Sequence, residues 1–172
     1  MMQGSGRALS NGNDAPPVSD LQLVTFQLSA ERYGIDIMDV REIVRLQDIR
    51  SLPNVPSFIA GILNLRGRIV PIIDLHERFR LKRTATSDED KLLAGIVIIH
   101  LDGVRVGMVI DRVSRVATVD REQIQPPPQV LAGIGSEYIH GVVNQGDGYL
   151  VLLDIHHMFS AQDLRQINQL RS

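Results

Sequence analysis

The chain has 172 residues, a formal net charge of −2 and no cysteine. The near-neutral charge and the lack of a basic run argue against nucleic-acid binding, and the lack of cysteine excludes disulfides and cysteine metal sites. No apolar run approaches the roughly 18 residues that a membrane span needs. We therefore expect a cytoplasmic protein without direct membrane insertion. Because tryptophan is absent, its core should be aliphatic.

The N-terminal segment and the first strands differ in composition. Residues 1–19 are rich in Gly, Ser, Asn and Pro and have almost no apolar pattern, which predicts a disordered leader. Leu21–Leu28 and Tyr33–Ile37 are rich in apolar and β-branched residues and are joined by a polar turn, so they predict a hairpin. The residues that follow favour a helical turn passing into a third strand at Ile43–Leu46.

Prolines and glycines mark the next boundaries. We expect a short helix at Pro56–Ala60, because proline suits a first helical position and Gly61 suits a C-terminal cap. Two strands should then flank a turn at Arg66 and Gly67. Pro71 lies within the second of these strands, which predicts an edge position or a bulge.

The chain repeats itself. Gly61–Leu75 lies over Gly141–Ile155 without a gap, at a separation of 80 residues. The first hairpin reappears at a separation of 73 residues, with Val106–Ile110 in the place of Tyr33–Ile37. A longer second connector accounts for the difference, since surface loops tolerate insertions. The sequence therefore predicts two homologous β units.

Each unit would hold about five short aliphatic strands, which suit a small closed barrel better than an isolated flat sheet. We predict a mainly β protein of two barrels in tandem, forming one domain over residues 20–160. Subdomain one covers about 20–82 and subdomain two about 92–160, and the exchange of a strand at their junction remains open. Residues 161–172 have an apolar stripe at helical spacing and predict a C-terminal helix.

Several motifs together resemble the CheW-type chemotaxis coupling proteins. They are Tyr33–Ile37, Glu42-Ile43, Asn64–Gly67 and Ile69–Leu75, and they occur in the order and at the spacing of that family. The resemblance implies two SH3-like five-stranded barrels, no catalysis, no cofactor and an adaptor role. Family members join the cytoplasmic tips of methyl-accepting chemotaxis receptors to the regulatory domain of the chemotaxis histidine kinase.

Those partners imply that the protein is recruited to receptor arrays at the inner face of the membrane. Two alternatives stay close to this interpretation. One is a coupling protein of a chemosensory-like pathway with another output, such as pilus motility, because the fold does not encode the output. The other is a regulatory domain acting in cis, as in a histidine kinase or an adaptor with a receiver.

Comparison of the two halves selects candidate partner-binding residues. Positions that recur should serve the barrel, whereas positions that differ are free to bind a partner. The resemblance places Arg66 on the partner-binding surface, and its counterpart in the second half is Gly146. A guanidinium in a turn can bind carboxylates or helix-end carbonyls, although Arg66 could instead pin its own loop. The same comparison favours Glu42 and Arg68.

Other candidates are more ambiguous. Asn64 recurs as Asn144, so we expect it to stabilise its turn. Val40 and Ile43 match partner-facing positions of the family, yet their counterparts are also apolar, which leaves core packing equally open. The full set of candidate partner-binding residues is Arg66, Val40, Glu42, Ile43, Arg68 and Asn64.

Catalysis and metal binding are disfavoured. Asp74 and Asp154 occupy matched positions and could form the carboxylate dyad of a hydrolase, but neither precedes the Thr/Ser-Gly loop that presents such an acid. Capping roles suit them better. His156 and His157 are adjacent on a predicted strand and point to opposite faces, so they should not bind one metal ion.

Overall fold

The structure is a computed structural model that describes residues 20–83, 87–128 and 136–171. The predicted leader at residues 1–19 and most of the second connector lie outside the described residues. The described residues form ten strands: β1 (Asp20–Leu28), β2 (Glu31–Asp36), β3 (Val40–Arg45), β4 (Ile59–Leu65), β5 (Arg68–Asp74), β6 (Gly95–Leu101), β7 (Val104–Ile110), β8 (Arg112–Asp120), β9 (Ile139–Asn144) and β10 (Tyr149–Leu153).

The α-helices of the described residues are short. They are α1 (Leu75–Phe79), α2 (Asp88–Lys91) and α3 (Ala161–Asn168), and the other helical segments are single 3-10 turns. No helix in the described ranges is long and apolar enough to cross a membrane. The C-terminal helix is confirmed but ends at Asn168, where the sequence predicted helix to residue 172. Its start is fixed by a capping box between Ser160 and Asp163.

The strands form two five-stranded sheets, which confirms the predicted mainly β fold of two barrels. One sheet has the order β8-β1-β2-β10-β9 and the other β3-β6-β7-β5-β4. We call them barrel A and barrel B. In barrel A, Val119 in one edge strand and Val143 in the other pack in the same aliphatic cluster, so the curled sheet encloses a common interior. A similar cluster containing Leu63 and Val70 fills barrel B.

Each barrel combines both halves of the sequence. The first hairpin (β1–β2) lies in one sheet with β8, β9 and β10, whereas β3, β4 and β5 lie in one sheet with the second hairpin (β6–β7). The exchange therefore involves two strands from each half, where the sequence left open a single strand. The boundary at residues 82–92 separates the two repeats of the sequence but does not separate the two barrels.

The strand pairing repeats with the sequence. Leu152 pairs with Gly34 in the parallel ladder of barrel A, and their counterparts Ile72 and Gly107 pair in the parallel ladder of barrel B. Both glycines lie close to aliphatic side chains. A Cβ on Gly107 would be 2.6 Å from Ile72 Cδ1, so the absence of a side chain allows the parallel strands to pack.

At Gly61 and Gly141 the connector that precedes each strand passes close to the strand backbone. An added Cβ on Gly61 would be 2.1 Å from the Arg50 carbonyl oxygen, and one on Gly141 would be 2.9 Å from that of Gln125. The predicted helix at Pro56–Ala60 is wrong: residues 57–58 form only a turn, and β4 starts at Ile59. Gly61 is therefore a strand residue beside a bulge and not a helix cap.

Pro71 lies in an inner strand, between β4 and β7, and not at a sheet edge. The N–H and carbonyl of its partner Ile62 both bond to Arg50, on the side of β4 that faces away from Pro71. Pro71 therefore lies opposite Ile62 without hydrogen bonds between them. The ladder with β7 begins only at Ile72, so the missing N–H of the proline interrupts no pairing.

The third strand begins at Val40, three residues earlier than predicted.

The main core lies between the two barrels and includes the buried Tyr33, whose ring stacks between Phe26 and Phe79. Its hydroxyl is buried and has no hydrogen-bond partner among the described residues. Burial, aided by the negative charge of Glu31, raises the pKa of Tyr33 to about 12. The fold therefore favours the neutral phenol.

We expect Tyr33→Phe to leave the free energy of unfolding at pH 7 unchanged or raised by up to about 1 kcal/mol, because a desolvated hydroxyl without a partner is removed. A raised pKa contributes stability below the unfolded value of 10.0, and this stability is lost as the pH rises toward about 12. The variant should therefore lose less stability than the wild type between these pH values. Urea denaturation across that range measures this.

Tyr149→Phe is the matched control, because that ring is 38% exposed. It should leave the alkaline loss of stability intact. A drop of about 2 kcal/mol in Tyr33→Phe at pH 7 would contradict the prediction and reveal a hydrogen bond to the hydroxyl.

Candidate functional site

The candidate site begins at the β4–β5 hairpin of barrel B. Leu65 pairs with Arg68, so Arg66 and Gly67 form a two-residue turn. Both have positive φ, 51° and 83° respectively. Such turns favour Asn or Asp before the glycine, and the β6–β7 turn of the same barrel does carry Asp102 there. An arginine in the left-handed region is disfavoured by about 1–2 kcal/mol, and backbone strain of this kind concentrates at functional sites.

Arg66 forms an ion pair with Glu42 of β3. β3 and β4 are the two edges of the sheet, so this contact spans the closure of barrel B. The Arg66 side chain remains 64% exposed and that of Glu42 31% exposed. Both alternatives for Arg66 therefore have support: it pins its hairpin to β3, and it is accessible to a partner.

Neither member of this pair recurs in the second half. The counterpart of Arg66 is Gly146, and the counterpart of Glu42 is Arg115. Asn64 does recur in structure: its Oδ1 accepts a hydrogen bond from Gly67 N at 3.0 Å, as Asn144 Oδ1 does from Gly146 N at 2.8 Å. The predicted turn role of Asn64 is confirmed. Its place among partner-binding residues stays a prediction.

The remaining candidates separate by burial. Val40 is half-buried and packs against the main core, whereas Ile43 is 39% exposed. Arg68 is exposed at the start of β5. The structure thus brings Arg66 and Glu42 into contact, places Asn64 and Arg68 in the same hairpin, and leaves Ile43 exposed as the residue after Glu42 in β3. Core packing is the role that the structure supports for Val40.

The carboxylates and histidines that could have served catalysis or metal binding form contacts within the fold. Asp74 caps α1 through Glu77 N and forms an ion pair with Arg83. Asp154 caps the turn at Ile155–His157 and accepts from His157 Nδ1 at 2.6 Å. Both capping predictions are confirmed. Among the described residues no group of three or more His, Asp and Glu is arranged to hold a metal ion.

His76 joins the two barrels. It is buried and its Nε2 lies 2.9 Å from Asp111 Oδ2, which also accepts from Ser29 N at 2.7 Å. Burial would raise the pKa of Asp111, but the hydrogen bonds from His76 and Ser29 and the nearby positive charges outweigh it and lower the pKa. Its counterpart His156 contacts Asp39 in the same way at 3.2 Å. The matched histidines are structural.

Arg78 has a role that the sequence did not reveal. Its side chain is only 17% exposed and its guanidinium lies 5.0–5.2 Å from the ring centroids of Phe58, Tyr138 and Phe159. It also donates to the carbonyl of Met158, which is its own counterpart in the repeat. An arginine inside a short helix gives no signal of such a junction, because the contacting residues are distant in sequence and most of them belong to the other half.

We predict that Arg78→Met lowers the free energy of unfolding by about 2 kcal/mol or more, since it removes buried hydrogen bonds and leaves Asp163 without its cation. Arg66→Ala should lower it by less than about 1 kcal/mol, because that ion pair is exposed. Urea denaturation of both variants at neutral pH measures the difference. A larger loss in Arg66→Ala than in Arg78→Met would contradict these assignments.

Comparisons with known proteins agree on one family. The profile of the CheW-like domain matches residues 22–163. The chain is 52% identical over 149 residues to the chemotaxis protein CheW of Treponema pallidum (strain Nichols), covering 87% of this chain and 88% of that protein. It is 35% identical over 147 residues to the chemotaxis protein CheW of Klebsiella aerogenes, covering 86% of each.

A solved structure shares the fold. The crystal structure of the scaffolding protein TtCheW from Thermoanaerobacter tengcongensis superimposes with a TM-score of 0.76 at 33% sequence identity. The match covers 88% of this chain and 94% of the other.

Proposed function

The chain belongs to the CheW-like domain family, and on that premise we propose that it couples methyl-accepting chemotaxis receptors to the chemotaxis histidine kinase. Proteins of this family are scaffolds and not enzymes, so no catalytic role is assigned to the chain. In this proposal it works in the cytoplasm, recruited to receptor arrays at the inner face of the membrane. It holds kinase and receptor in a fixed geometry, and the signal passes as a change in relative position.

The observation that carries the proposal is the asymmetry of the two halves. An exposed Arg66–Glu42 pair stands at a strained turn in one half, and the other half has Gly146 and Arg115 at the same positions. Duplicated halves share what the barrels need, so a charged pair confined to one half is available for a partner. Asn64 and Arg68 lie in the same hairpin as Arg66, and the exposed Ile43 follows Glu42 in β3; we assign all three to the same proposed partner surface.

A planar guanidinium can form two parallel hydrogen bonds with a carboxylate, or bind the carbonyls at a helix end. In the proposed complex the Arg66 guanidinium either keeps its ion pair with Glu42 while it also binds the partner, or it leaves Glu42 and binds a carboxylate of the partner. The regulatory domain of the kinase docks barrel to barrel, mostly through the first unit, and the receptor tip binds near Arg66. Recognition of a helix through its apolar face is a general binding mode.

Two alternatives are weaker. Coupling in a chemosensory-like pathway with another output, such as pilus motility, would use the same surface, but the named relatives are chemotaxis proteins. A hydrolase built on Asp74 and Asp154 conflicts with the family, and both carboxylates are occupied as caps.

We predict that the wild-type protein sediments with receptor-bearing membranes and kinase. Arg66→Glu should weaken this binding by about tenfold or more, because it places a second carboxylate beside Glu42, where a carboxylate of the partner should bind. Co-sedimentation with purified components, quantified over a concentration series, measures the affinity.

Arg115→Glu is the matched control, because it makes the same charge change at an exposed position of the second half and should bind like the wild type. If folded Arg66→Glu binds both partners as well as the wild type does, the role of Arg66 is wrong. If the wild type binds neither partner, the adaptor proposal itself fails.

A further inference from the structure

A pocket of about 370 Å³ opens at one end of barrel B. No Asp or Glu is among the described residues that line it. The charged and titratable side chains around it are Arg41, Arg68, His100, Arg105 and Arg171. We call this opening the basic mouth.

The strands of barrel B direct these side chains to the mouth. Alternate residues of a strand share a face, so Arg68 stands on the same face of β5 as Val70, which belongs to the aliphatic cluster inside the barrel. His100 stands likewise on the face of Ile98 in β6, and Arg105 pairs with His100 across the β6–β7 ladder. The cations therefore lie at the rim of a barrel whose interior is closed by aliphatic packing.

Arg41 and Arg171 complete the basic mouth. Arg41 is the extra residue of a bulge in β3, between Val40 and Glu42, and bulges commonly redirect a side chain. Arg171 follows α3. None of the four arginines of the mouth forms an ion pair with a described residue. Like charges repel when no anion lies among them, so a bound anionic group would stabilise this arrangement.

The other barrel provides an internal comparison. A second opening at the end of barrel A is lined by the repeat counterparts of the basic mouth: Arg32 for Arg105, Gln27 for His100 and Gly148 for Arg68. Only one arginine remains there, and it forms an ion pair with Asp147 at 2.9 Å. The hydrogen bond and the charge of Arg32 lower the pKa of Asp147.

The positive charge of the second opening is thus offset within the chain, because Asp147 pairs with Arg32 and Glu31 adds a second carboxylate. Arg32 and Arg105 occupy the same position of the repeat, so the fold accommodates an arginine there with or without an ion pair inside the chain. Three further arginines, one histidine and the absence of a carboxylate among the described lining residues are peculiar to barrel B. Because the fold does not require this charge, a ligand is the remaining reason for it.

We propose that the basic mouth binds an acidic peptide segment of a partner protein, one that carries several Asp or Glu side chains. The cations come from four strands and the segment after α3, so they surround an open groove in which successive carboxylates can each meet a guanidinium. A phosphate cradle would instead converge backbone N–H groups on one point. The inference does not rest on the proposed coupling role, because it names the chemistry of a ligand and not its owner.

The test uses a fluorescently labelled ten-residue peptide of alternating Asp and Glu and its Asn/Gln analogue, titrated with the full chain by fluorescence anisotropy. The acidic peptide should bind and the amide analogue should not. Binding should weaken steeply with added NaCl, because the contacts are exposed ion pairs. The double variant Arg41→Gln/Arg105→Gln should weaken binding by about tenfold or more. If that variant does not fold, the single variant Arg68→Gln replaces it, since Arg68 is exposed, and it should also weaken binding.

Arg32→Gln is the matched control from the second opening and should change the affinity by less than about twofold. Circular dichroism establishes that each variant is folded. Three results would overturn the proposal: no binding of the acidic peptide at low salt, an equal loss in Arg32→Gln, or binding of inorganic tripolyphosphate at the mouth without any binding of the peptide. Neither kinase nor receptor is present, so failure here and failure of the coupling role are separate outcomes.

Discussion

The junction around Arg78 is the contact on which the architecture depends. Its guanidinium lies among Phe58, Tyr138 and Phe159 and donates to the Met158 carbonyl, so it ties the end of α1 to the equivalent segment of the other half. Around it the aromatic contacts cross between halves, Phe58 with Phe159 and their counterparts Tyr138 with Phe79. With two strands of each half exchanged, neither barrel contains a complete half of the sequence. The two barrels therefore have a fixed relative geometry, which an adaptor needs if it transmits position.

The duplication also separates architecture from function. Glycines at the connector crossings, asparagines in the hairpin turns and aspartates at the caps recur at matched positions with similar roles in both halves. Several exposed charges of barrel B do not recur. The exposed pair of Arg66 and Glu42 and the basic mouth both belong to barrel B, and the corresponding positions of barrel A are glycine, reversed in sign or internally neutralised. Barrel B thus carries both of the surfaces that we assign to partners.

Local patterns in the sequence predicted much of the fold. The repeat, the hairpins, the caps at Asp74 and Asp154 and the turn role of Asn64 follow from short-range spacing. The helix predicted at Pro56–Ala60 failed because Phe58 and Ile59 are buried in the core, where the Phe58 carbonyl accepts a hydrogen bond from Asp74 N. Strand exchange was out of reach for a similar reason, since the pairing of β2 with β10 joins residues more than a hundred positions apart. The basic mouth is assembled from five separate segments, and no single window of sequence contains it.

The central claim is that partner binding is confined to one of two homologous hairpins, and hydrogen exchange tests it most directly. Backbone amide exchange of the protein would be followed by mass spectrometry, alone and with the purified regulatory domain of the kinase. Our account predicts slower exchange in residues 64–68 and 40–45 on complex formation, with no change in the matched hairpin at residues 144–148. Slower exchange at 144–148 with none at 64–68 would contradict it.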